Sequence, residues 1–188
     1  MKKYLKMLPV LLYPYLYILI AFLTPMLDDY EITKGLARRL YVFDPLNAIV
    51  IAAVVHLIVL LCQLSFILNV AKGKYSAKDA AKMTMIIKLV HIPAFIMHFL
   101  YGALGFLASV WGLALITWAI VIDLLTIFQT GIMSVTTAVK CIKDKVFNTT
   151  QCVICAILGF IYCVDVGTSI YVFVKTKLAL KKGASSSQ

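Results

Sequence analysis

Residues 83–140 read MTMIIKLVHIPAFIMHFLYGALGFLASVWGLALITWAIVIDLLTIFQTGIMSVTTAVK. This is an almost unbroken apolar run with Lys88, His91, His98 and Asp123 set inside it. As one straight helix it would extend ~90 Å, about three times the thickness of a bilayer's hydrocarbon layer. It therefore holds two spans, about 83–107 and 110–139. The turn is expected near Ala108-Ser109, flanked by Gly102, Gly105 and Gly112, with Trp111 and Trp118 suited to the membrane interface.

The rest of the chain follows the same pattern. Of its 188 residues 63% are hydrophobic and only 14% charged, with a mean hydropathy of +0.98. A soluble domain averages ~45–50% apolar and ~25% charged, so lipid must solvate much of this surface. The expected fold class is an all-α integral membrane protein, a polytopic helical bundle of five transmembrane helices in one membrane domain over 1–174. Besides the central two, spans are read at about 4–27, 46–71 and 149–174. A four-span alternative lays Lys78–Tyr101 along the membrane surface.

Local signals set the boundaries. Span 1 begins after Lys2 and Lys3 and imitates a signal peptide, but Pro9 and Pro14 interrupt it and no small-x-small cleavage site follows, so it reads as a retained span. Its tyrosines at 13, 15 and 17 lie too deep for a headgroup belt and predict a packing face. In the polar loop that follows, Ile32, Leu36, Leu40 and Phe43 predict a short interfacial helix near 32–43. Asp44-Pro45 starts span 2, Gly73 ends it, and Ser76 to Asp79 resembles a capping box that starts span 3. The tail, 175–188, is basic and is expected to be disordered.

The net charge of +10 comes from short segments between apolar runs, where Lys and Arg set topology beside anionic lipid; nucleic acid is not an expected partner. Lys72, Lys74, Lys78 and Lys82 place the second loop, and with it the N-terminus, in the cytoplasm of a plasma (inner) membrane. With five spans the tail lysines fall on the outer side, against the positive-inside rule.

Chemistry has few candidates. On span 3, Thr84, Lys88, His91, Phe95, His98, Gly102 and Gly105 form one seam of alternating steps of four and three. On span 4, Asp123, Thr126, Thr130, Ser134 and Thr137 share a face. With a turn at Ala108-Ser109, Asp123 lies level with Ala94, between His91 and His98 in depth. His56 and Asp165 fall near the middle of their spans. Ionisable groups at that depth are costly and mark proton or ion pathways. A His–Asp pair there titrates near neutral pH; the competing reading is helix packing through interhelical hydrogen bonds. His91 and His98 are ~10 Å apart along a helix, too far to share one metal ion, and no metal or cofactor motif is present.

Cys152-Val153-Ile154-Cys155 opens span 5 with a C-x-x-C spacing and resembles the redox motif of the vitamin K epoxide reductase family. The resemblance implies a thiol oxidoreductase with a second cysteine pair in a loop, but here Cys62, Cys141 and Cys163 lie in or beside apolar segments. Three functions are thus expected: a structural or accessory subunit of a membrane complex, a proton-coupled small-solute transporter or channel using Asp123 with His91 and His98, and a thiol oxidoreductase using Cys152 and Cys155. An enzyme is the least favoured. Spans with so little polar surface also predict a homo-oligomer or a larger membrane assembly.

Overall fold

The computed structural model describes residues 2–28, 45–107 and 112–185, all of them in helices or the short turns between helices. The expected interfacial helix near 32–43 and the turn at Ala108-Ser109 lie outside the described residues. The helices are α1 (Lys2–Leu5), α2 (Leu8–Asp28), α3 (Pro45–Ala71), α4 (Ala77–Leu107), α5 (Leu113–Lys143), α6 (Thr149–Leu158) and α7 (Val164–Ser185). Among the described residues three stretches, Ile49–Ala71, Ala77–Leu107 and Ile116–Lys143, are long and apolar enough to cross a membrane. The protein is an all-α, multi-span helical bundle. The chain divides into two compact units, Met1–Cys62 and Gln63–Gln188.

In the first unit, α2 meets α3 through the tyrosines that looked too deep for a headgroup belt. Tyr13 and Tyr17 are buried, and each ring lies 5.8 Å from that of His56. The His56 Nδ1 is 3.0 Å from the Tyr17 hydroxyl and 2.8 Å from the Ala52 carbonyl oxygen.

The second unit is built on the hairpin of α4 and α5. Gly73, at φ +71°, turns the chain out of α3, a left-handed conformation that glycine adopts without a Cβ penalty. Ser76 then caps α4 by accepting from the Asp79 amide at 3.1 Å. Asp144, just past α5, accepts from the Ala77 amide at 3.1 Å and from Lys140 at 2.8 Å. One carboxylate thereby satisfies an orphan donor at the start of α4 and ties it to the end of α5. Thr84 and Thr137 share a hydrogen bond of 2.9 Å, His98 meets Asp123 at 2.6 Å, and a Cβ on Gly102 would touch Ala119. These pairs advance in step along an antiparallel hairpin whose register is displaced from the expected one. Asp123 stands level with His98, not with Ala94, a shift of four residues or about one helical turn. At the tip Gly105 and Gly112 meet backbone to backbone, and a Cβ on Gly105 would also clash with Ile116, which lies in the displaced register.

The stretch 149–174, expected as one helix, is broken. Asn148 caps α6, accepting from the Gln151 amide at 2.8 Å, but α6 ends after ten residues. Residues 159–163 form turns, with Cys163 at φ 63°, and α7 then runs back alongside α6. On the way in, Gly159 packs against Ser134, and the Phe160 ring fills the space a side chain at Gly131 would take. On the way back, Asp165 meets Lys88, and Val172 joins Ala77, Ala81, Cys141, Phe147 and Cys155 in one buried cluster. Thr176 reaches Cys141 at 3.5 Å. Thus α6 runs antiparallel to α5, and α7 antiparallel to α4. The ten-residue α6 enters, and the 22-residue α7 leaves, at the same end of the unit. Over the residues expected to form the tail, α7 continues to Ser185, through a Lys-, Leu- and Ala-rich sequence that favours helix, with cations complementing its C-terminal dipole.

Two glycines make opposite predictions. A Cβ on Gly112 would overlap the Gly105 carbonyl, whereas one on Gly167 meets nothing within 4 Å. Gly112→Ala is expected to cost ~1–3 kcal/mol as backbone is forced apart. Gly167→Ala is expected to be neutral or stabilising by up to ~1 kcal/mol. Thermal unfolding of the two variants in mild detergent checks the contrast.

Candidate functional site: two buried acid–base pairs

The seam of α4 faces inward as its spacing requires: Thr84, Lys88, His91, Phe95, His98 and Gly105 are all buried. The structure nevertheless separates what the sequence grouped as one polar cluster. Lys88 and His98 are ten residues apart, ~15 Å along the helix, and each has its own acid.

Lys88 Nζ donates to Asp165 Oδ2 at 2.7 Å and to the Gly159 carbonyl oxygen at 3.0 Å. The two side chains are only 1% and 2% exposed. The pair is formed by the break itself. Ending α6 leaves carbonyls without helical partners, and starting α7 leaves amides unpaired. The Lys88 ammonium satisfies a carbonyl at the first end, and the Asp165 carboxylate sits in the first turn of the second, where the helix dipole favours an anion. Backbone that is not helical is tolerated at membrane depth only when protein or enclosed water satisfies it. Below the pair, Thr84, Ser134, Thr137, Thr168, Ser169 and Cys155 line a void of about 10 Å³, close to the smallest space that holds one water molecule.

The second pair joins the hairpin arms. His98 Nδ1 lies 2.6 Å from Asp123 Oδ1; the imidazole is fully buried and the carboxylate 16% exposed. Trp118 packs edge-on to His98 at 5.3 Å. Among the described residues His98 Nε2 has no hydrogen-bond partner. Asp123 is therefore bound to His98 and is not bracketed by the two histidines. His91, one seam step toward Lys88, is buried with its ring edge-on to Phe95 at 6.3 Å. Next along, Phe95 packs on Tyr162 of the break at 5.3 Å. His56 belongs to the first unit and meets its tyrosines.

Several groups escaped the sequence reading. The Gly159 carbonyl is one, because a backbone acceptor without an intrahelical donor exists only where a helix ends. Gln129 is another: it is buried on α5 between Thr126 and Thr130, and its side-chain oxygen has no partner among the described residues. The hydroxyls of the α5 and α7 seams turn inward differently from a relay. Thr126, Thr130, Thr168 and Thr176 each donate to the carbonyl four residues back on their own helix.

Cys152 and Cys155 are buried free thiols on one face of α6. Among the described residues no three His, Cys, Asp or Glu side chains gather to hold a metal ion. No protein family, curated protein or solved structure matches the chain.

If Lys88 and Asp165 pin the break together, removing one of them leaves an uncompensated charge in the core. Lys88→Met alone is expected to cost ~3–5 kcal/mol, and the double variant Lys88→Met/Asp165→Leu to recover most of that loss. A double-mutant cycle by detergent unfolding measures it; additive losses would show that the two side chains act independently.

Proposed function

We propose that this membrane-embedded helical protein is a small, non-enzymatic transport-related protein in which the α6–α7 arm is a re-entrant hairpin and the buried pairs handle protons or a small solute. The observation that carries the reading is the Lys88–Asp165 pair on the backbone of a broken helix. Ionisable groups inside a membrane face protein or water and mark substrate and proton pathways. Half-helices that end near mid-depth supply carbonyls and dipoles to such sites. His98 and Asp123 supply a second titratable pair one bilayer half away.

The charge distribution supports a re-entrant placement. Lys72, Lys74, Lys78, Lys82, Lys140, Lys143 and Lys145 flank the ends of α3, α4 and α5 at one end of the second unit. Lys175 joins them, packed 4.8 Å over the Phe147 ring, and Lys177 and Lys181 follow. Residues 89–122 contain no Lys, Arg, Asp or Glu, and those of them that are described run to the other end of the hairpin. A fifth crossing would carry the tail lysines to the outer side; a re-entrant arm keeps them with the rest, as the positive-inside rule requires. The chain then crosses four times, at about 4–27, 46–71, 83–107 and 110–139, with the basic end in the cytoplasm. Lys2, Lys3 and Lys6 assign the N-terminus to the cytoplasm by the same rule.

A second reading, an accessory subunit of a larger assembly or a homo-oligomer, is favoured by α3. Its Val50, Val54, Leu57, Leu61, Leu64 and Leu68 side chains are all exposed, a surface for lipid or for a neighbouring helix.

Reconstitution of the full chain in vesicles loaded with a pH-sensitive dye separates these readings. The transport reading expects a proton flux that Asp123→Asn reduces to background without lowering the melting temperature. Absence of flux from the wild-type protein, with a stoichiometric partner co-purifying in mild detergent, would instead assign the accessory role.

A further inference from the structure

Between the arms of the hairpin runs a groove of about 490 Å³, within the ~300–1,000 Å³ range of ligand clefts. Gln151, Ile154 and Leu158 of α6 form one wall, and Val164, Gly167 and Tyr171 of α7 the other. The lining is apolar apart from a few groups. Leu158 and Val164 close its deep end at the break, and Gln151 and Tyr171 mark its mouth at the basic end. The ten residues of α6 give it a length of ~15 Å, half the ~30 Å hydrocarbon layer and so the depth of one leaflet. It is open at Gly167, where a Cβ would meet nothing within 4 Å.

We propose that this groove binds one anionic phospholipid, its acyl chain lying between α6 and α7 and its phosphate on Lys175. The cation is placed for that contact. Lys175 Nζ donates to the Tyr171 hydroxyl at 3.3 Å and rests on the Phe147 and Tyr171 rings, and no carboxylate pairs with it among the described residues. Tyr171 is thus both groove wall and anchor of the charge. An apolar slot one leaflet deep, with an unneutralised ammonium at its mouth, matches a lipid with a negative headgroup and offers a zwitterionic one less. The site requires that the basic end lie at a headgroup layer, as the re-entrant placement has it. Lipid binding is read without any transport assay, so the two proposals can fail separately.

Native mass spectrometry of the full chain in mild detergent, titrated with phosphatidylglycerol or phosphatidylcholine, tests the proposal. The wild-type chain is expected to retain one phosphatidylglycerol, with a preference over phosphatidylcholine that Lys175→Gln lowers about fivefold, the effect of one lysine near a membrane surface. Gly167→Leu, which fills the slot, is expected to remove retention of both lipids, while Gly167→Ala binds as wild type. Should Gly167→Leu fail to fold, Ile154→Trp fills the same space from the opposite wall. Equal retention of the two lipids by the wild-type chain, or unchanged binding when the slot is filled, overturns the proposal, as does no retained lipid at all.

Discussion

The second unit depends on one ammonium group. Lys88 reaches from the middle of α4 to a broken helix end and to the carboxylate that opens the next helix. Each of the three groups would be costly alone in a low-dielectric interior: a charge without a counter-charge, and a carbonyl without a donor. Together they make non-helical backbone tolerable at a depth where lipid provides no hydrogen bonds. That is why the chain can turn at 159–163 and run back. The small side chains of the seams then let the returning arm lie close. Thr84, Ser134, Thr137, Thr168 and Ser169 surround the step below the pair, where bulkier residues would hold the helices apart.

The hairpin sets where that ammonium can reach. The Thr84–Thr137 and His98–Asp123 contacts fix α4 and α5 in one register, and Asp144 holds their basic ends together. A slip of one helical turn would separate His98 from Asp123 and displace Lys88 from the break that Ser134 and Gly131 position through Gly159 and Phe160. The polar groups are therefore organised in two layers along α4: an ion pair bound to the returning arm of α6 and α7, and an acid–imidazole pair that ties the two long helices. Phe95, His91 and Tyr162 fill the space between the layers.

Much of this was legible in the sequence, and what was not has a definable cause. Helix identity followed from hydropathy and length; Gly73, Ser76 and Pro45 marked boundaries correctly because capping and turn chemistry are local. The inward face of α4 followed from its step of three and four. The register of the hairpin did not, because it is set by which side chains meet across two segments, Thr84 with Thr137 and His98 with Asp123, rather than by either segment alone. Nor did the break in 149–174. Gly159-Phe160-Ile161-Tyr162-Cys163 carries no proline and is as apolar as its flanks. The partner that satisfies the broken end is a lysine 71 residues earlier in the chain. In retrospect Asp165 was the signal, an acid in the first turn of a helix rather than a charge stranded in the middle of one. The lysine-rich tail was a second: under the proposed re-entrant placement its conflict with the positive-inside rule disappears.

The central claim, that α6 and α7 enter and leave on one side with Lys88 at the turn, is most directly tested by sidedness. In a chain whose native cysteines are replaced, Lys143→Cys and Lys177→Cys report the two ends of the arm to a membrane-impermeant maleimide. Both positions are predicted to label in inside-out vesicles and to be protected in intact cells. Labelling of the two positions from opposite faces would make 149–174 a crossing helix and contradict the account.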